Sequence, residues 1–202
     1  MRILLLGGYG VFGSRLARLL VTDRHDVCIA GRSLQRARDY ARELGCRAIG
    51  LDRKGSLKLL QEYDVVIDAA GPFHSYEDDP YRLPRAAIAA GVHYLDLSDN
   101  AAFCAGISAL DAEARAAGLC VLSGLSSVPA LSSAAVRALA GDDFPAVIDT
   151  AILPGNRAPR GLSVMQSILS QTGRPMPVWI GNRWERVTGW ADPARYALPT
   201  GL

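Results

Sequence analysis

Nothing in this sequence runs apolar for the ~18–20 residues that a membrane-spanning helix requires. Neither sign of charge dominates: 22 Lys and Arg stand against 20 Asp and Glu. That near-balance excludes the basic footprint of a nucleic-acid binder or a membrane-surface protein. The cysteines at 28, 46, 104 and 120 form no C-x-x-C pair, so they read as reduced core thiols of a cytoplasmic protein rather than a disulfide framework. No cluster of His, Cys and carboxylates has metal-ligand spacing. No G-x-S-x-G elbow surrounds Ser123, Ser126 or Ser127, which read instead as lining a loop into the next helix. The sequence also lacks solenoid repeats and low-complexity tracts.

Half of the 202 residues are hydrophobic, which is ample for a folded core. The opening MRILLLGGYG has the basic start and apolar run of a signal peptide, but glycine breaks the run at Gly7, so it reads as a buried first strand. Strand-like and helix-like segments then alternate. Ile3–Leu6, Val27–Ala30, Arg47–Leu51, Asp64–Ala70, His93–Leu97 and Leu119–Leu122 are the expected strands. Helices are expected at Val11–Thr22 with Val11, Phe12, Leu16, Leu19 and Leu20 on one face, and at Leu34–Leu44 between a Ser33 cap and Gly45. Others follow near Ser56–Gln61, at Tyr81–Ala90, at Ala101–Ala117, and from Pro129 to Ala140. Strands apolar on both faces and separated by helices predict a doubly wound, mostly parallel α/β sheet of the Rossmann type.

The pattern changes after residue 143. Ala146–Leu153 is expected to be a strand, Gly161–Thr172 an amphipathic helix, and Val178–Gly189 a hairpin bearing Trp179 and Trp184. We therefore divide the chain into a dinucleotide-binding domain, 1–143, and an incomplete α+β domain, 144–202, too small to bury much core alone. Its remainder, or a partner covering it, is expected to complete it.

Gly8-x-Gly10-x-x-Gly13 falls where a strand must turn into a helix. In that context the motif is a dinucleotide fingerprint: Gly8 for the tight turn, Gly10 for close approach of the pyrophosphate, Gly13 for helix–sheet packing. Tyr9, Val11 and Phe12 complete the loop, and the helix N-terminus favours the phosphate charge. An NAD-selective site places an acid at the end of the second strand. Here the chain reads Ala30-Gly31-Arg32-Ser33, so Arg32 and Ser33 are expected to hold a 2′-phosphate, favouring NADP(H) over NAD(H). Asp52 has two readings, a carboxylate toward the adenine edge or a turn cap. The small residues Ala70, Gly71 and Pro72 suit the nicotinamide side. Asp96 and His74, at or after the carboxyl ends of strands, are the candidate catalytic residues, His74 as a general acid and Asp96 holding an amino group or orienting a donor. His25 and His93 read as structural or surface residues.

The segments GGYGVFGSRLARLL, AGRS, DVVIDAAGPF, GVHYLDLSDNAAF and SGLSSVPALSS, in this order and spacing, resemble the saccharopine dehydrogenase-like oxidoreductases from Met1 to about Leu153. The resemblance implies an NADP-binding Rossmann domain followed by an α/β substrate and dimerisation domain. It implies an NADP-dependent oxidoreductase for a small, amino-acid-derived substrate, with a homodimer formed through the second domain. It also implies that the cofactor loop is Gly8–Gly13, the ribose-phosphate contact Arg32 and Ser33, and the nicotinamide-side turn Ala70, Gly71 and Pro72. One departure stands out: the family's stretch after the fifth strand often carries a Gly-Glu pair after its carboxylate, whereas here Asp96 precedes Leu97-Ser98-Asp99. Two other readings are a non-catalytic NADP(H) sensor and a reductase of an enoyl or lipid group, the latter on the apolar, Trp-bearing hairpin.

Overall fold

The computed structural model describes residues 1–76, 79–153, 157–159, 161–191 and 193. In chain order the elements are β1 (Arg2–Leu6), α1 (Val11–Thr22), β2 (Asp26–Gly31), α2 (Leu34–Leu44), β3 (Arg47–Gly50), β4 (Val65–Asp68), α3 (Arg82–Ala89) and β5 (His93–Asp96). There follow α4 (Ala101–Gly106), α5 (Asp111–Ala116), β6 (Val121–Leu122), α6 (Ser132–Ala140), α7 (Leu162–Ser170), β7 (Pro175–Ile180) and β8 (Arg183–Thr188). Short 3₁₀ turns at Lys58–Glu62, Phe73–Ser75 and Ile107–Leu110 fill the connections.

Six parallel strands form one sheet in the order β3-β2-β1-β4-β5-β6. Strand order reverses between β1 and β4, so a crevice opens beyond their carboxyl ends, where ligands of such sheets bind. Period-two alternation divides the apolar strands between two cores. Leu4, Leu6, Cys28, Ala30, Val66 and Tyr94 pack with Leu60, Tyr63, Leu83 and Ala87 on one face. Ile3, Leu5, Val27, Ile29, Val65 and Ile67 pack with Ala17, Ala37 and Ala41 on the other. Both faces being covered accounts for the continuous apolar runs read in the sequence.

Helix α1 departs from its expected face. Phe12 is 54% exposed and Leu19 63%, while Gly13 and Ala17 are the buried positions. The helix approaches the sheet so closely that only small residues fit between, and Leu16 and Leu20 flank the contact. The single helix expected at Ala101–Ala117 is instead α4, a 3₁₀ turn and α5. All four cysteines are free thiols, Cys28 buried and Cys120 exposed.

Beyond α6 the expected strand at Ala146–Leu153 does not form: those residues are exposed and have no regular structure. An apolar segment becomes a strand only where a neighbour satisfies its backbone groups, and none lies beside this one among the described residues. The expected helix is α7, and the hairpin β7–β8 begins earlier than expected, at Pro175, with Trp179 and Trp184 paired across it. Helix α7 is not detached from the sheet. Ser167 is buried and donates to Asp99 Oδ2 at 2.7 Å.

Candidate functional site

The loop after β1 turns at Gly7, not Gly8. Gly7 has φ +71°, its N–H donates to Ala30 O at 2.8 Å, and its carbonyl accepts from Gly10 N at 2.8 Å. A Cβ on Gly7 would lie 2.7 Å from Ala69 O and Ala70 Cα, so backbone meets backbone between the ends of β1 and β4. Gly8 serves packing instead: a Cβ there would lie 3.1 Å from Ile29 Cγ2 and 3.2 Å from the Leu5 side chain. A Cβ on Gly13 would overlap the Gly7 carbonyl oxygen, which fixes α1 against the loop. Gly10 has open space beyond its single close neighbour, Gly7 O. It precedes α1 in an extended conformation, and among the described residues no side chain caps that helix. Bare amide donors and the positive end of the helix therefore face an open cradle that suits a phosphate.

At the end of β2, the Tyr9 ring lies against Gly31, where a Cβ would sit 2.5 Å from its hydroxyl oxygen. That hydroxyl accepts from Ser33 N at 3.3 Å. The Arg36 guanidinium covers the Tyr9 ring, 4.8 Å from its centroid. Ser33 caps α2 by accepting from Arg36 N at 3.4 Å. Arg32 is exposed beside them. The structure thus gathers Tyr9, Arg32, Ser33 and Arg36 at one strand end. Arg36 was missed in the sequence because it reads there as ordinary surface company for Arg32 and Arg38; its place one turn after the Ser33 cap was the available signal. Asp52 is exposed and accepts from Lys54 N at 2.9 Å, which is the turn-capping reading of this residue.

The carboxyl ends of β4 and β5 carry a buried polar cluster. Asp68 and Asp96 are partners in register on adjacent strands, so both project to the same face, and each has 0% exposure. Asp68 Oδ1 accepts from Ala70 N at 3.0 Å. Its Oδ2 accepts from Arg53 at 3.2 Å and from the Tyr76 hydroxyl at 3.4 Å. Arg53 also stacks on the Tyr76 ring, 3.1 Å from its centroid. Burial pushes the Asp68 carboxyl up to about 6 even though Arg53 opposes the rise. Burial likewise lowers Arg53 and raises the Tyr94 hydroxyl well above its ordinary value.

Asp96 is enclosed by the loops that follow β5 and β6. Its Oδ1 accepts from Ser98 N at 2.9 Å, Ser123 Oγ at 2.9 Å and Gly124 N at 3.0 Å. Burial raises its carboxyl, and those three bonds hold the rise in check. Asp96 Oδ2, Tyr94 OH and Arg53 Nη1 are buried without a partner among the described residues. His74 is exposed on the 3₁₀ turn after β4 and makes none of these bonds. The structure therefore joins Asp96 to Ser98, Ser123 and Gly124, and not to His74. Ala70 is exposed while Gly71 and Pro72 are half-buried, and Asp68 anchors their turn through Ala70 N. The charged residue inside the apolar run DVVIDAA was the sequence signal for Asp68; nothing local pointed to Arg53.

Among the described residues no group of His, Cys, Asp and Glu is placed to hold a metal ion, and no helix is long and apolar enough to cross a membrane.

The family model for the saccharopine dehydrogenase NADP binding domain matches residues 3–122. A comparison with curated proteins finds no match. Among solved structures, the apo saccharopine dehydrogenase (L-Glu forming) of Saccharomyces cerevisiae is 24% identical with a TM-score of 0.55, over 69% of this chain and 32% of that one. The structure of GenD2 from gentamicin A biosynthesis in complex with NAD is 21% identical with a TM-score of 0.49, over 69% of this chain and 38% of that one. Shikimate 5-dehydrogenase from Thermus thermophilus in complex with shikimate is 25% identical with a TM-score of 0.41, over 69% of this chain and 48% of that one. The chain spans about a third of the yeast enzyme and less than half of the other two.

Proposed function

We propose, from the premise that the chain belongs to the saccharopine dehydrogenase NADP binding domain family, that it is an NADP-dependent oxidoreductase acting on a small, amino-acid-derived substrate. The observation that carries this reading is the uncapped start of α1 above Gly10, together with the cations at the end of β2. The pyrophosphate is assigned to the amides of Val11 and Phe12 at the start of α1, beside the open side of Gly10. Arg32 is assigned to the 2′-phosphate with the Ser33 amide and hydroxyl, and Arg36 adds a second charge one helical turn away. Tyr9 gives up its hold on Ser33 N when the phosphate arrives. Asp52 keeps its turn and contacts at most the adenine edge.

NADP(H), when bound, supplies or accepts the hydride. The chain orients it through the turn Ala70–Pro72, which Asp68 fixes by accepting from Ala70 N. His74, exposed beside that turn, is the residue we assign to proton delivery. Asp96 acts through the loops it ties together rather than by touching substrate. The sensor reading gains one observation, the enclosure of Asp96, because it removes a carboxylate from the reaction space.

Thermal melts test the cofactor: NADPH is expected to raise the melting temperature more than NADH, and equal shifts or the reverse order would refute the 2′-phosphate assignment. The activity is tested by following NADPH absorbance against amines and amino acids paired with 2-oxo acids. Cofactor binding without turnover on any of them favours the sensor.

A further inference from the structure

Helix α7 is tied at two points. At its start, Gly161 lies so close to α1 that a Cβ there would be 3.1 Å from Val11 Cγ2. Further along, buried Ser167 donates to Asp99 Oδ2 at 2.7 Å, across 68 residues of sequence. Val11 follows β1 and Asp99 follows β5, and β4 lies between those strands in the sheet. The two ties therefore stand on either side of the strand end that leads into Ala70–Pro72. The lengths agree: from Gly161 to Ser167 a helix rises about 9 Å, and two strand spacings are about 9.6 Å.

The geometry points to α7 as the roof of the nicotinamide-side pocket, with Asp99 and Ser167 as the positioning pair that holds it there. Val164, Ser167 and Ile168 share the less exposed face, whereas Leu162, Gln166 and Leu169 are exposed. That pattern has the i, i+3, i+4 spacing of a helix laid on a surface. The sequence of α7, LSVMQSILS, holds no charged residue. Its lower face is aliphatic with one hydroxyl already committed to Asp99, so the roof excludes water from the reacting face and leaves any charged end of the substrate to the loops below.

This inference rests on the cofactor reading above, and the test separates the two. Affinities for NADPH and for 2′,5′-ADP, which carries only the adenosine half, are measured on the full chain and on Asp99→Asn, Ser167→Ala and Ser167→Thr. Hydrogen exchange is followed over residues 162–170. The first two variants are expected to exchange faster there and to bind NADPH about tenfold more weakly, the scale of one hydrogen bond to a charged group. Their affinity for 2′,5′-ADP stays within about twofold, and Ser167→Thr, which keeps the hydroxyl, restores NADPH binding. Unchanged exchange would overturn the pairing, and faster exchange with unchanged NADPH affinity would overturn the roof. Equal losses for both ligands would overturn it too, as a general loosening of the fold. Failure of the unaltered chain to bind 2′,5′-ADP would remove the cofactor reading itself, and the roof with it.

Discussion

Replacing Arg53 with Met removes the guanidinium paired with Asp68 while keeping an unbranched side chain of similar reach over Tyr76. The Asp68 carboxylate is fully buried and the Arg53 side chain is 20% exposed. Removing one partner of a buried ion pair costs about 3–5 kcal/mol, because the other charge is left uncompensated. The partial exposure of Arg53 places the expected loss at the lower end, about 3 kcal/mol at pH 7.5.

The loss must depend on pH in a definite direction. In the intact protein the Asp68 carboxyl is raised from 3.8 to about 6, so the folded state holds that proton more tightly than the unfolded chain does. Its contribution to stability is complete below about 3.8 and is lost as pH rises through about 6, in total about 3 kcal/mol. Arg53→Met deletes the influence that opposes the rise, so the folded value climbs further. At pH 5 Asp68 is mostly protonated in both proteins, and the difference between them shrinks to under about 1 kcal/mol. Urea unfolding followed by far-ultraviolet circular dichroism at the two pH values measures this directly. A loss of the same size at pH 5 and pH 7.5 would refute the reasoning, since packing and not the charge of Asp68 would then account for it.

Asp96→Ala should cost about 3 kcal/mol or more, because it strands the amides of Ser98 and Gly124, both at buried positions, and frees Ser123; a change under about 1 kcal/mol in the same unfolding assay contradicts the anchoring role. Arg32→Ala should raise the dissociation constant for NADPH roughly ten- to hundredfold and leave that for NADH nearly unchanged, which titration calorimetry with both nucleotides decides.

Much of the fold was legible because its signals are local. The ILLL run of β1 needs no context, and α2 begins and ends where the Ser33 cap and Gly45, with φ +67°, place it. The tight turn was assigned one residue late, since Gly7 and Gly8 are equivalent on paper and only contact with Ala69–Ala70 separates them. Ala101–Ala117 keeps helical spacing throughout. It is interrupted by the 3₁₀ turn Ile107–Leu110, just after the point where the Tyr81 hydroxyl donates to Phe103 O at 3.0 Å, against Gly106. Within the candidate site, the glycine loop and the Arg32-Ser33 pair are contiguous and could be read. Asp68 with Arg53, Asp96 with Gly124, and Asp99 with Ser167 join residues brought together only by strand order, which spacing along the chain does not encode.

The close approach of Gly7 to Ala69 and Ala70, which leaves no room for a Cβ, has a mechanical meaning. The Gly7 turn and the Ala69–Ala70 turn stand so close that no Cβ fits between them, so neither can move toward the other. On the proposed assignment, a dinucleotide entering the crevice meets two jaws that cannot close on each other, like a caliper with a stop. Recognition then measures the length between the two ends of the cofactor as much as the chemistry at either end. A substitution at Ala70 should be felt at the phosphates, and tightening one end cannot be achieved by letting the other drift.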